Sequence, residues 1–244
     1  MNSKNKIIKA QRILAEYSSR EIIILFNLFL IVTALLAFTY IAAEVTRGES
    51  KFLDDFLIKY LRHDGSFLSA DNLWLTGMMT DITALGGATV IFMITSAVVF
   101  YLLIQRQREF MWLILIATIG GAILSFGLKE IFARERPPLI FHLLTVKSLS
   151  FPSGHAMMSS MVYLTQGALL AKVQTNKNLR VYILLVAILL VFLIGISRIY
   201  LGVHYPTDVF AGWSAGLAWA SLCWLAARYL QRKRERKNRG ELLA

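Results

Sequence analysis

Three polar clusters stand at the ends of otherwise apolar segments: Lys129 with Arg136-Pro137, then Pro152-Ser153-Gly154-His155, then Ser197-Arg198 followed by His204 and Asp208. Together they carry three cations, two imidazoles and one carboxylate, which is the equipment for binding a phosphate group and breaking its ester bond. In the first cluster Lys129 and Arg136 are seven residues apart, so a continuous helix places both on one face. An arginine there grips two phosphate oxygens at once, and a lysine acts as a point charge.

In the second cluster a helix opening near Gly154 offers unpaired N–H groups and partial positive charge to an anion, and glycine lets that anion come close to the backbone. Ser153 can cap this helix or donate its hydroxyl to a phosphate oxygen. His155, next to such a site, is placed to give a proton to a leaving group. In the third cluster Arg198 ends an apolar run, a costly position that calls for an anionic partner. Asp208 follows His204 by four residues. At a helix start this spacing brings the carboxylate against one imidazole nitrogen and leaves the other free to attack, the orienting role of the carboxylate in a Ser-His-Asp triad. Two histidines and a carboxylate also suffice to bind a catalytic zinc. Three neighbouring cations would repel it, so the expectation is a site without metal. Cys223 is the only cysteine, which excludes intramolecular disulfides and a thiolate metal site.

The elements that must position these clusters are membrane spans. Of the 244 residues 57% are apolar and only 17% charged, far from the balance of a soluble domain. Six charge-free runs stand out: Ile22 to Ala43, Ile82 to Ile104, Phe110 to Leu128, Ala156 to Ala171, Val181 to Ile196 and Val209 to Ala227. Runs of roughly 17 to 25 residues, rising about 1.5 Å each, cross a hydrocarbon core about 30 Å thick. The fourth and fifth reach that length only with His155, Ser197 and Arg198 included, which puts those residues near a membrane face. The first run is too long for the apolar part of a cleaved signal peptide and is expected to be a retained anchor.

The net charge of +11 is not spread as a nucleic-acid-binding surface would be. Six spans give seven flanks, and the set containing both termini holds 17 of the 26 Lys and Arg residues. By the positive-inside rule both termini are then cytoplasmic, and all three clusters fall together on the opposite face. The expected fold is an all-α integral membrane protein with six transmembrane helices in one bundle. Residues 1–20 form an N-terminal tail, 21–230 the membrane domain and 231–244 a basic C-terminal tail. Between the first two spans, Phe52, Leu53, Phe56, Leu57, Tyr60 and Leu61 recur at helical spacing with Lys51, Asp54, Asp55, Lys59 and Arg62 opposite, which predicts an interfacial helix. Gly212 and Gly216 have the small-xxx-small spacing of closely packed helices.

Lys-x6-Arg-Pro, Pro-Ser-Gly-His and Ser-Arg-x5-His-x3-Asp, in this order over residues 129–208, resemble the three-part signature of the type 2 phosphatidic acid phosphatase superfamily. Every motif position is present. The resemblance implies that Lys129, Arg136 and Arg198 hold the phosphate oxygens with Ser153 and the Gly154 amide. It makes His204 the nucleophile, Asp208 its orienting partner and His155 the general acid. It further implies a phosphohistidine intermediate with no metal or cofactor. The expected substrate is a membrane lipid phosphomonoester or diphosphate, reached from the bilayer at the outer face of a bacterial cytoplasmic membrane, by a monomer or homodimer. Two other classes fit the same residues. A phosphotransferase would pass the phosphoryl group to an acceptor other than water, and a transporter would bind the anion without hydrolysis.

Overall fold

The computed structural model describes residues 3–61, 72–146 and 148–241, and all their regular structure is helical. The order is α1 (Ser3–Arg47), α2 (Lys51–Leu61), α3 (Leu73–Ala84), α4 (Ala88–Ile104), α5 (Arg108–Phe132), α6 (Gly154–Ser159), a π-helical turn (Ser160–Leu164), α7 (Thr165–Val173), α8 (Lys177–Tyr200) and α9 (Pro206–Glu241). Among the described residues, four segments are long and apolar enough to cross a membrane: Glu21–Arg47 of α1, all of α5, all of α8, and Pro206–Lys233 of α9. Taken together as one bent span, α3 and α4 make a fifth.

The expected six spans differ from this in two places. The second run, Ile82 to Ile104, is not one straight helix: it begins inside α3 and crosses a break at residues 85–87, where the axis turns by 45°. At the break α8 and α6 pack directly on the backbone, since a side chain at Gly86 would meet Ile194 at 2.6 Å and His155 at 3.3 Å. The fourth run, Ala156 to Ala171, coils through α6, the π turn and α7. There the Ser159 and Ser160 hydroxyls both donate to Ala156 C=O, at 3.1 and 2.9 Å, competing with the regular helical ladder for that acceptor.

The outer surface is apolar, with Phe26, Leu36, Phe92, Phe126 and Leu185 all exposed, as suits a chain whose solvent is lipid. With no apolar driving force between helices in such a solvent, small residues decide where backbones meet. On the central helix α9, Gly212 and Gly216 do this: a Cβ would lie 2.8 Å from Ser153 O and 2.3 Å from Ser160 Cβ respectively. Helix α9 thus seats α6 and the π turn directly on its backbone.

Helix α2 forms where the amphipathic pattern predicts it, but faces the other way from a helix that packs its apolar stripe on a core. Phe52 and Tyr60 are 78% and 68% exposed, whereas Asp54 is 1% exposed. The aromatic stripe looks outward and the acid inward. Arg62, placed on the charged face in the sequence pattern, lies outside the described residues.

Candidate active site

The three clusters meet at one end of the bundle. Helix α5 delivers Lys129 from its last turn, α6 opens on Gly154 and His155, α8 delivers Arg198 from its last turn, and α9 opens just after His204. The reversal from α8 to α9 depends on Gly202, whose φ of 69° lies in the left-handed region that favours glycine. Its N–H donates to Ile199 C=O at 2.9 Å and the next N–H, of Val203, to Arg198 C=O at 3.3 Å. Helix α9 then starts on Pro206, where a missing N–H costs nothing. Asp208 reaches back across that first turn to accept the Tyr205 N–H at 2.9 Å, as an acidic residue three places into a helix commonly does.

The same carboxylate oxygen, Oδ2, lies 3.3 Å from His204 Nδ1 and accepts the Ser150 hydroxyl at 2.5 Å. On the far side of the ring, Arg136 NH1 lies 3.1 Å from His204 Nε2. Guanidinium can only donate and carboxylate only accept. The network therefore assigns the proton to Nδ1 and a lone pair to Nε2. Burial, reinforced by the charges of Arg136, Arg198, Lys129 and His155, holds the His204 basicity well below its ordinary value. The imidazole is neutral at neutral pH, which is the form that can attack.

Arg136 does not reach this position along a helix. The expectation of one helical face with Lys129 is corrected: α5 ends at Phe132, Ala133 takes a left-handed conformation with φ 44°, and its N–H closes the helix on Lys129 C=O at 2.9 Å. Arg136 instead sits in the following segment and is fixed by Val203 C=O, Ser148 C=O at 2.6 Å and Ser148 Oγ at 3.0 Å. Burial lowers its basicity from the ordinary arginine value.

Lys129 donates to Leu149 C=O at 2.6 Å, and its Cε lies 3.4 Å from where a side chain at Gly154 would begin. The Ser153 N–H is held by Asp208 C=O at 2.9 Å, while its hydroxyl, expected to cap α6 or meet an anion, makes no capping bond. Arg198, 3% exposed, donates through NH1 to Thr83 Oγ1 at 3.0 Å. Its Nε and the Ser153 hydroxyl are both buried without a protein partner. Two orphaned donors among three cations are the pattern a tetrahedral anion would complete.

Pattern alone did not single out Ser150, Thr83, Arg134, Thr207 and Asp54. Arg134 donates to Asp208 Oδ1 at 2.7 Å and to Asp54 Oδ2 at 2.8 Å. The available signals were an extra arginine between Lys129 and Arg136 and an acid on a helix between spans; neither says that they pair across 80 residues. Among the described residues, no group of three His, Cys, Asp or Glu side chains is arranged to hold a metal ion.

A cavity of about 630 Å³ lies against this site, with Gly154, His155 and Met158 on its wall. It runs between α4 and α5, where Phe92, Phe100 and Ile119 make it strongly apolar.

Residues 110–232 match the model of the PAP2 superfamily. The phosphatidylglycerophosphatase B of Bacillus subtilis (strain 168) is 37% identical over 156 residues, 59% of this chain and 71% of that protein. An undecaprenyl-diphosphatase of Sulfolobus acidocaldarius is 30% identical over 152 residues, 60% of this chain and 68% of that one. Among solved structures, the transmembrane PAP2-type phosphatidylglycerolphosphate phosphatase from Bacillus subtilis superposes with a TM-score of 0.73 at 28% identity, covering 83% of this chain and 96% of that one. Helices able to span a membrane, three clusters gathered at one end of them and a family match from α5 into α9 give one conclusion: this multi-pass membrane protein belongs to the PAP2 superfamily, the phosphatases that its three motifs resemble.

Proposed function

We propose that this protein is a metal-independent lipid phosphatase, which hydrolyses a lipid phosphomonoester or diphosphate through a phosphohistidine on His204. The observation that carries the reading is the pair of bonds on that ring: Nδ1 faces Asp208 at 3.3 Å while Nε2 keeps its lone pair beside Arg136 at 3.1 Å. Lys129, Arg136 and Arg198 neutralise the phosphate, which would otherwise repel a nucleophile, with Ser153 and the Gly154 amide completing the cradle. Nε2 attacks phosphorus, the phosphorus–oxygen bond to the lipid breaks, and His155 gives its proton to the departing oxygen. His155 then takes a proton from water, whose oxygen attacks phosphorus. The phosphorus–nitrogen bond breaks, releasing phosphate and neutral His204. Two easier displacements replace one difficult one.

A lipid substrate is supported by the apolar cavity, which begins at His155 and can hold a hydrocarbon tail while the headgroup lies among the cations. The named activities of the relatives suggest phosphatidylglycerophosphate and undecaprenyl diphosphate as candidates, with phosphatidic acid as a third. In the topology proposed here α1, α3 with α4, α5, α6 through α7, α8 and α9 make six spans. The excess of Lys and Arg on the terminal side supports a topology with both termini in the cytoplasm and the site on the outer face of a bacterial cytoplasmic membrane. The test is phosphate release from the three lipids in detergent, with and without chelator. His204→Ala should abolish turnover, and the wild type should carry acid-labile, base-stable phosphate. Loss of activity in chelator overturns the metal-free step, and transfer of the phosphoryl group to a second lipid overturns hydrolysis.

A further inference from the structure

Arg134 has no place in the phosphate cradle, yet its guanidinium is shared between two buried carboxylates. NH1 donates to Asp208 Oδ1 at 2.7 Å and to Thr207 Oγ1 at 2.8 Å, and NH2 to Asp54 Oδ2 at 2.8 Å. Thr207 gives its hydroxyl to Asp54 Oδ2 at 2.6 Å and its backbone N–H to Asp54 Oδ1 at 3.2 Å. The guanidinium also lies over the Tyr205 ring, 4.4 Å from its centroid. Asp54 thereby grips the first turn of α9, the turn that presents His204 and Asp208.

The orientation of α2 gives a second, independent indication. This helix buries Asp54 and leaves Phe52, Phe56 and Tyr60 outward. Burying a carboxylate is costly unless it is paired; Asp54 meets that cost through Arg134, and Ile58, one turn on and 2% exposed, packs inward on the same face.

We infer that Asp54 and Arg134 are positioning residues for the reaction, acting through Asp208 on the nucleophile His204; the inference rests on the phosphohistidine reading above. Arg134 fixes the Asp208 carboxylate in the rotamer that receives the His204 Nδ1–H. Asp54 shares the guanidinium and so limits how far Arg134 draws the negative charge of Asp208 away from the ring. That charge is needed as His204 gains positive character on bonding to phosphorus. With Asp54 neutral, Arg134 turns its full charge on Asp208, and the ring loses support in the transition state but not in the ground state.

The experiment uses the full chain in detergent with phosphatidic acid micelles, comparing wild type, D54N, D54E, R134K, D208N, D54N/D208N and, as a control on the exposed face of α2, K59Q. Removing the outer hydrogen-bond partner of a metal-bound histidine typically costs ~10- to 100-fold in activity, and a loss on that scale is expected for the partner of a histidine nucleophile. The expected result for D54N is a loss of that size in kcat and in the rate of phosphoenzyme formation, with KM unchanged because the cradle is intact. D54E should recover most of the loss, R134K should share it, and K59Q should match wild type. Neutralising Asp54 in the D208N background should cost little more, since the residue through which it acts is already disabled. Equal losses in both backgrounds, a raised KM with normal kcat, or a D54E protein as poor as D54N would overturn the inference. Should the wild type release no phosphate from any lipid, the phosphatase reading alone falls. The thermal-unfolding cycle of D54N, D208N and the double variant then decides the brace: non-additive losses support it and additive losses overturn it.

Discussion

Replacing Asp208 by Asn tests the geometry of the site through a single atom exchange. The carboxylate has four donors around it: Tyr205 N–H at 2.9 Å, the Ser150 hydroxyl at 2.5 Å and the His204 Nδ1 side at 3.3 Å, all on Oδ2, with Arg134 NH1 on Oδ1 at 2.7 Å. An amide offers one acceptor and one donor end. If its NH2 faces Arg134, two donors oppose each other at the distance of a strong hydrogen bond. If it faces His204, it drives the ring to the tautomer protonated on Nε2 and removes the attacking lone pair. The equivalent exchange in a Ser-His-Asp triad lowers kcat ~10⁴-fold, about 5 kcal/mol of transition-state stabilisation. The fold should lose less, about 1–3 kcal/mol for a buried polar group left imperfectly paired, because Asp54 still holds Arg134 at 2.8 Å. Single-turnover formation of phosphoenzyme, followed beside thermal unfolding, separates the two effects. A variant that keeps more than about a tenth of the wild-type rate with normal stability would refute the tautomer argument.

Other outcomes follow from the same geometry. The depressed His204 basicity makes stability depend on pH: below about 6.5 the unfolded chain takes up a proton that the buried ring refuses, so stability present above that pH is lost as pH falls, by up to about 1.4 kcal/mol per unit. Thermal unfolding between pH 7 and 5 should show a steeper loss for wild type than for His204→Phe. Gly216→Ala forces a Cβ to 2.3 Å from Ser160 Cβ and should destabilise by about 1–3 kcal/mol, read as a lowered melting temperature. Ala122→Phe fills the apolar cavity; it should raise KM for a long-chain lipid phosphate and leave the rate on a short, soluble phosphate ester unchanged.

What pattern could reach, and what it could not, follows from the range over which each residue acts. His204 and Asp208 are legible because their partnership is local: four residues and one helical turn fix the contact, and Pro206 is the residue that starts that turn. Hydropathy likewise finds α5, α8 and the membrane parts of α1 and α9, because lipid imposes the same demand on every residue along a span. It does not find the break at Gly86 and Gly87. Glycine is compatible with a continuous span, and the reason for the break is a contact with Ile194 and His155 from other helices. The helical face assigned to Lys129 and Arg136 failed because α5 ends at Phe132, with Ala133 left-handed; Pro137 and Pro138, which disfavour helix at Arg136, were the local signal against it.

Helix α2 shows how a local pattern can find an element and stay silent about its partners. Its amphipathic stripe is real, but in a membrane protein an apolar stripe has two possible destinations, the bundle or the lipid and its interface. Periodicity measures the stripe and is silent on the choice. Here Asp54, at 1% exposure, is held by Arg134 and Thr207 and turns inward together with Ile58, at 2%, while the aromatic residues face outward. Asp54, an acid that in a soluble domain would mark the solvent face, is the residue that points to the chemistry.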